Sequence, residues 1–271
     1  MSIVKVNGIN IYYEIHGKGE PLVLISGYGS NSASWFHEVP VFSKQYRVIT
    51  FDNRGTGRSD KSDVPYTAKM MADDVAGLLE TIGVDAAHIY GVSMGGGIAQ
   101  EFALNYPEKV ISLILGCTNC GGTHAIPGDP AVVSKLVSMG GTGMTEESVR
   151  ALMTAVYTEE VIKNNSELIE ELIKRRLEYP TPIHTYIRQA QASAGFDVYD
   201  RLPQIKVPTL IINGTEDKIV PVENARIIAS RIPNAELAII EKAGHVYNFG
   251  MGDKPDKVVL DFLRRHHRTT M

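Results

Sequence analysis

Three residues far apart in the chain have the types and settings for nucleophilic attack on a carbonyl: Ser93, Asp217 and His245. Ser93 centres Gly91-Val92-Ser93-Met94-Gly95, a G-x-S-x-G run. An apolar stretch, His88 to Tyr90, leads into it, and a small-residue, helix-compatible stretch, Ile98 to Leu104, leads out. On a tight strand-to-helix turn a serine is held in a strained backbone conformation. Its Oγ projects from the sheet edge, and the helix N-terminus behind it faces a developing oxyanion. Gly91 and Gly95 suit that turn because Cβ atoms there would collide across it. The hydroxyl needs a base to take its proton, and the base needs a carboxylate to fix its tautomer.

After a serine in this setting the expected order is acid, then histidine. Gly214-Thr215-Glu216-Asp217 directly follows a buried-strand pattern, so Asp217 falls in a strand-end loop, with Glu216 as the competing carboxylate. Ala243-Gly244-His245 follows the last strand. Of the eight histidines, His245 alone lies downstream of the acid in a strand-end loop with a glycine before it. His16, His37, His88, His124 and His184 read as surface or loop residues, and His266 and His267 as a solvated, charged helix end. Loops at the carboxyl ends of parallel strands converge on one crevice, so residues distant in sequence can meet there. Two backbone amides should hold an oxyanion: that of Met94, and that of Tyr28 in the loop Ser26-Gly27-Tyr28-Gly29-Ser30. The Tyr28 side chain is then free to line the pocket. Trp35, Phe36, Met94 and Tyr28 are the expected pocket residues, and Tyr28 and Trp35 the substrate-binding candidates.

Alternating strands and helices must carry these loops. Ile3 to Val6 and Ile9 to Ile15 read as a hairpin turned at Asn7-Gly8. Pro21 to Ser26, Gln45 to Asp52, Val110 to Leu115 and Thr209 to Asn213 are buried-strand runs, and Ala235 to Ile240 is the last strand. Ser34 to Phe42 has helical spacing, Thr67 opens a helix that Gly83 stops, and Asn224 to Arg231 and Asp256 to His267 are helical. Residues 129 to 197 show helical patterns without buried β-runs, including one long amphipathic helix from Glu159 to Glu178. The expected organisation is an α/β core of residues 1–122 and 198–271 with a helical cap, or lid, at 123–197.

The 271 residues fit one α/β domain with an insertion. A formal net charge of −4 gives no reason to expect nucleic acid or an anionic membrane as partner. No apolar run approaches the ~18 residues of a membrane span, and the N-terminus lacks the pattern of a signal peptide. A cytoplasmic location is the expectation. Cys117 and Cys120 form a C-x-x-C, but it follows a late strand and only His124 lies near, so two reduced thiols are expected rather than a redox or zinc pair. The loop after the first parallel strand lacks the third glycine of a nucleotide-binding G-x-G-x-x-G.

Gly27-Tyr28-Gly29, the segment Phe51-Asp52-Asn53-Arg54-Gly55-Thr56-Gly57-Arg58-Ser59-Asp60, the turn at Ser93, Gly-x-x-Asp217 and Gly-His245 together resemble the α/β-hydrolase superfamily over nearly the whole chain. The pattern is similar to 3-oxoadipate enol-lactonases and small carboxylesterases. The resemblance implies an α/β-hydrolase fold: a mostly parallel central sheet flanked by helices, with a helical lid insertion. It implies a structural role for Asp52 and Arg54, and a Ser93-His245-Asp217 hydrolase that takes a small-molecule ester or lactone with no cofactor or metal. The same triad serves cofactor-free haloperoxidases, C–C hydrolases and slow-turnover signal receptors, which stay open. Two departures stand out. Ser26-Gly27 replaces the family's usual His-Gly, removing a polar group behind the oxyanion loop. Val246-Tyr247-Asn248-Phe249 follows His245 where many relatives carry small or acidic residues.

Overall fold

The computed structural model describes residues 2–267. Eight strands form one sheet in the order β1-β2-β4-β3-β5-β6-β7-β8. They are β1 (Ser2–Val6), β2 (Ile9–His16), β3 (Pro21–Ile25), β4 (Arg47–Phe51), β5 (Ala87–Val92), β6 (Val110–Gly116), β7 (Thr209–Gly214) and β8 (Glu236–Ile240). The β1–β2 and β2–β4 pairings are antiparallel and the rest parallel. Asn7 and Gly8 take φ of 47° and 82° and turn the first hairpin as expected. Chain order reverses at β3, which has β4 on one side and β5 on the other. A crevice opens at the carboxyl ends of strands around such a reversal, and the loops bearing Tyr28 and Ser93 both leave from there.

The helices are α1 (Glu38–Phe42), α2 (Ala68–Thr81), α3 (Met94–Asn105), α4 (Pro130–Thr142), α5 (Glu146–Val156), α6 (Glu159–Asn164), α7 (Ser166–Glu178), α8 (Ile183–Ala194), α9 (Glu223–Arg231) and α10 (Lys254–Arg265). The parallel strands are apolar on both faces because both are covered. In β3, Val23 and Ile25 pack towards α2, α3 and α9, while Leu22 and Leu24 pack towards α1 and α10. Thr67 caps α2, its Oγ1 accepting from the Met70 amide at 3.0 Å. A third apolar cluster, within α5–α8, includes Val149, Ile169 and Tyr186 and takes in Phe249 from the α/β layers. Helices α4–α8 form a single insertion between β6 and β7. Among the described residues no helix is long and apolar enough to cross a membrane.

Two helical expectations are corrected. Glu159 to Glu178 is two helices, broken at Asn165 (φ −131°, ψ 37°). The Asn165 Nδ2 donates to the Val161 carbonyl at 2.9 Å, a local bond that competes with helix continuation. Ser34 to Phe42 is a 3-10 turn, Ser32–Trp35, followed by the short α1. Pro40 has no amide hydrogen and is tolerated only in a helix's first turn, so the helix restarts just before it.

The Asp52–Asp60 segment braces the loop that leaves β3, in line with its expected structural role. Asp52 accepts from the Ser32 amide (2.8 Å), the Ser32 hydroxyl (2.6 Å) and the Arg58 amide (2.7 Å). Asn53 Nδ2 donates to the Ser26 carbonyl at 3.0 Å. Buried Arg54 forks onto Asp74 of α2 with both oxygens engaged, which ties β4's exit to that helix.

Candidate active site

Ser93 is the junction between β5 and α3, with φ 55° and ψ −123°. That left-handed conformation is strained for a non-glycine residue and persists only where the surroundings enforce it. Here the Ser93 amide donates to the Gly116 carbonyl at 2.8 Å, and the Thr118 hydroxyl donates to the Ser93 carbonyl at 2.8 Å. A Cβ on Gly91 would stand 2.2 Å from the Gly95 carbonyl oxygen, and one on Gly95 would stand 2.2 Å from that of Ile25. Both glycines are sterically required.

Asp217 and His245 leave the carboxyl ends of β7 and β8 and reach the same point. His245 Nε2 lies 3.0 Å from Ser93 Oγ, and His245 Nδ1 lies 2.8 Å from Asp217 Oδ2. The other carboxylate oxygen, Oδ1, accepts from the Ile219 and Val220 amides at 2.9 and 2.8 Å, so the acid cannot swing away. Glu216 is exposed and its backbone amide, not its carboxylate, is used, on the Ala243 carbonyl. Such an array can move a proton from Ser93 to His245 while Asp217 holds the ring's tautomer. Among the described residues the amides of Tyr28 and Met94 have no protein acceptor, and Tyr28 lines both cavities that Ser93 lines.

Those two cavities flank Ser93. The smaller, about 150 Å³, reaches past His245 and Asn248 under α5 and α7. The larger, about 610 Å³, runs past Met94 and Thr118 under α4 and α8 and is mostly apolar. The insertion also grips the loop that bears Tyr28: Gln189 Oε1 accepts from the Gly29 amide at 2.9 Å, and Thr181 donates to the Gly29 carbonyl at 3.2 Å.

Several site expectations change in detail. The Tyr28 side chain lines the cavities but is not free, since its hydroxyl donates to the Tyr186 carbonyl at 3.1 Å. Trp35 lines the smaller cavity, pinned by an Nε1 bond to Ser26 Oγ at 2.8 Å. That bond answers the missing family histidine, because Ser26 supplies the polar group behind the loop and itself donates to the Asn31 carbonyl at 3.2 Å. His88 is neither a surface nor a loop residue: it is fully buried in β5 between Ser112 and Glu20. His267 pairs with Glu20 and stacks on Tyr46 rather than standing in solvent alone. Cys117 and Cys120 are both buried free thiols, and burial pushes both thiols up from their ordinary range. Among the described residues no cluster of three or more His, Cys, Asp or Glu could hold a metal ion.

Arg176, Asn248 and Glu38 carry no motif and were not among the expected site residues. Arg176 on α7 lines the smaller cavity. Burial lowers its pKa, opposed by the nearby Tyr186 and Tyr157. Its Nε has no hydrogen-bond partner among the described residues, and Nη2 makes one long bond, 3.4 Å, to the Tyr28 carbonyl. The sequence did hold a signal: Arg176 follows Ile169 by seven, Leu172 by four and Ile173 by three, which puts it on α7's apolar face.

The model of a family described as alpha/beta hydrolase fold matches residues 20–249. The chain is 30% identical over 260 residues to a candidate carbamate hydrolase, RutD, of Stutzerimonas stutzeri, covering 93% of this chain and 96% of that protein. It is 31% identical over 265 residues to a 2-hydroxy-6-oxononadienedioate/2-hydroxy-6-oxononatrienedioate hydrolase of Burkholderia vietnamiensis, covering 95% and 92%. Among solved structures it is similar to an enol-lactonase from Burkholderia xenovorans, with TM-score 0.87, 26% identity, and 97% of this chain and 100% of that one covered. A thermophilic esterase from Thermogutta terrifontis gives TM-score 0.85 and 27% identity, covering 99% and 100%.

Proposed function

The chain belongs to the α/β-hydrolase family, and from that premise we propose that it is a serine hydrolase of small-molecule esters or lactones that works through an acyl-enzyme. The observation that carries this reading is the unbroken hydrogen-bond chain Ser93–His245–Asp217, headed by a serine with φ 55°. His245 takes the Ser93 proton as Oγ attacks the carbonyl, and the Tyr28 and Met94 amides receive the oxyanion. The imidazolium, held by Asp217, then protonates the leaving group. Water activated by the same ring releases the acyl group. Because His245 lines the smaller cavity, the leaving group sits there and the acyl group occupies the larger, apolar one. Helices α4–α8 act as a cap that governs substrate size, since α4, α5, α7 and α8 supply walls to the two cavities.

A second reading, C–C bond hydrolysis of an oxo-acid, is favoured by one observation. At Arg176 a guanidinium whose Nε is buried and has no hydrogen-bond partner among the described residues lines the leaving-group cavity, and an anionic group on the substrate would complete it. The dioate on which the Burkholderia vietnamiensis relative is named to act is of that class. A panel of p-nitrophenyl esters of rising acyl length, enol-lactones with and without a carboxylate, and a dienoate C–C substrate separates the two. Ester or lactone turnover that is lost in Ser93→Ala supports the first reading. Turnover of the dienoate alone would replace it with the second.

A further inference from the structure

The segment after His245 is fastened at four points. The Val246 amide donates to the Val156 carbonyl at 3.1 Å. The Tyr247 and Tyr90 hydroxyls share a 2.7 Å bond. Asn248 Nδ2 donates to Glu38 Oε1 at 2.5 Å. The Phe249 ring meets Tyr157 edge-on, with centroids 5.4 Å apart. The third point differs from the others. Glu38 is a carboxyl only 1% exposed, and its Oε2 has no hydrogen-bond partner among the described residues. A buried, half-satisfied carboxyl works against stability. Its side-chain partner, Asn248, lies in the wall of the same cavity as His245, three residues further along the chain.

We propose that Glu38 is a positioning residue for the base: through Asn248 it holds residues 246–249, and with them the His245 imidazole, in line with Ser93. This rests on the reading of His245 as the base.

The surroundings make the clamp sensitive to protonation. His37, just before α1, pairs with Asp256 of α10 at 3.3 Å. Tyr90 of β5, Tyr247 in the fastened segment and Tyr157 between α5 and α6 also face the carboxyl, and burial keeps all three neutral by raising their pKa values. Arg176 lies beyond Tyr157. Burial pushes the Glu38 carboxyl up to about 7, opposed by a backbone hydrogen bond and His37. Ionised, Glu38 can only accept, and the Asn248 amide group has one way to face it. Protonated, it can also donate, so the amide can face it either way round and the clamp slackens. The clamp therefore tightens as pH rises through about 7, and this second ionisation makes the acid limb of log kcat against pH steeper than one ionisation allows.

The test is ester hydrolysis over pH 5–9 by wild type, Glu38→Gln, Glu38→Met, Asn248→Ala and the Glu38→Met/Asn248→Ala double variant, with His245→Ala as reference. Glu38→Gln keeps an acceptor but cannot ionise. Like the protonated carboxyl it also carries a donor, so it mimics the slack clamp at every pH: its kcat at pH 8 should fall about threefold or more below wild type, with an acid-limb slope that falls to one. Glu38→Met and Asn248→Ala should each lose roughly 10- to 100-fold in kcat, with the double variant no worse than either. A wild-type slope of one, unchanged in Glu38→Gln, overturns the proposal even if Glu38→Met does not fold. So do single losses that multiply in the double variant. Undiminished hydrolysis by His245→Ala would instead overturn the function on which the proposal rests.

Discussion

Among the described residues there are two Ser–His–carboxylate chains. In one, Ser93 Oγ, His245 and Asp217 are linked at 3.0 and 2.8 Å. In the other, Ser112 Oγ lies 2.7 Å from His88 Nδ1, and His88 Nε2 lies 3.3 Å from Glu20. As distances the two are hardly distinguishable. They differ in place. Ser112 and His88 sit inside β6 and β5 and are fully buried, and neither lines either cavity beside Ser93. Ser93 sits where a strand ends, at φ 55°, with cavities on both sides and helix α3 starting behind it. The constellation alone is therefore not a site. A reactive serine also needs the turn that lifts it out of the sheet, amides for the oxyanion and room for a substrate. The inner chain does something else: it satisfies a buried imidazole that would otherwise be costly to enclose.

The sharpest way to break this comparison is to remove each serine. Ser93→Ala should lower kcat for an ester on the order of 10⁴-fold or more, while Ser112→Ala leaves kcat within about twofold. Steady-state assays on both, side by side, decide it. Asp217→Asn should keep the fold yet lose roughly 10⁴-fold, because the amide no longer fixes the tautomer or stabilises the imidazolium. Glu216→Gln, measured beside it, should be nearly normal, and the reverse pattern would move the acid by one position. Arg176→Gln should cost roughly 10- to 100-fold in kcat/KM for substrates with an anionic leaving side, the worth of a charge-assisted bond, and little for neutral esters.

The smaller effects are on stability and have opposite pH signs. Burial raises the Glu38 carboxyl from 4.5 to about 7, so the native state holds that proton more tightly than the unfolded chain. The stability this contributes is complete below pH 4.5 and is lost as pH rises through about 7. Glu38→Gln should remove that loss, with a gain over wild type at pH 8 of up to about 3 kcal/mol by linkage. His88 is shifted the other way, its pKa lowered by burial against the pull of Glu20. Its contribution is present above the ordinary histidine range and is lost as pH falls through its lowered value. Urea melts at several pH values should show Ser112→Ala destabilised by about 1–3 kcal/mol near neutrality, the cost of one orphaned buried group.

Much of this was readable in the chain because it is written locally. The turn at Ser93 is five consecutive residues, Asp217 follows an apolar run that forms a buried strand, and His245 follows the partly exposed edge strand β8. The sheet's carboxyl edge then does the assembly. What was not readable depends on elements that meet only in three dimensions. Glu38 sits on a short helix with no motif around it, and only the loop after β8 brings Asn248 to it. Arg176 looked like one of several charges on an amphipathic helix, although its spacing from Leu172 and Ile173 marks the inner face. The break at Asn165 was hidden because the apolar spacing continues across it, and a side-chain bond to Val161 overrides periodicity. His88 was misjudged because a lone histidine in a β-run gives no sign of the Ser112 and Glu20 that satisfy it.

The most direct test is covalent labelling of the nucleophile. Wild-type protein treated with a fluorophosphonate should gain the mass of one adduct, mapped by peptide sequencing to Ser93. Ser93→Ala should gain none, and Ser112→Ala should label like wild type. An adduct on Ser112, or labelling that survives Ser93→Ala, would contradict the account.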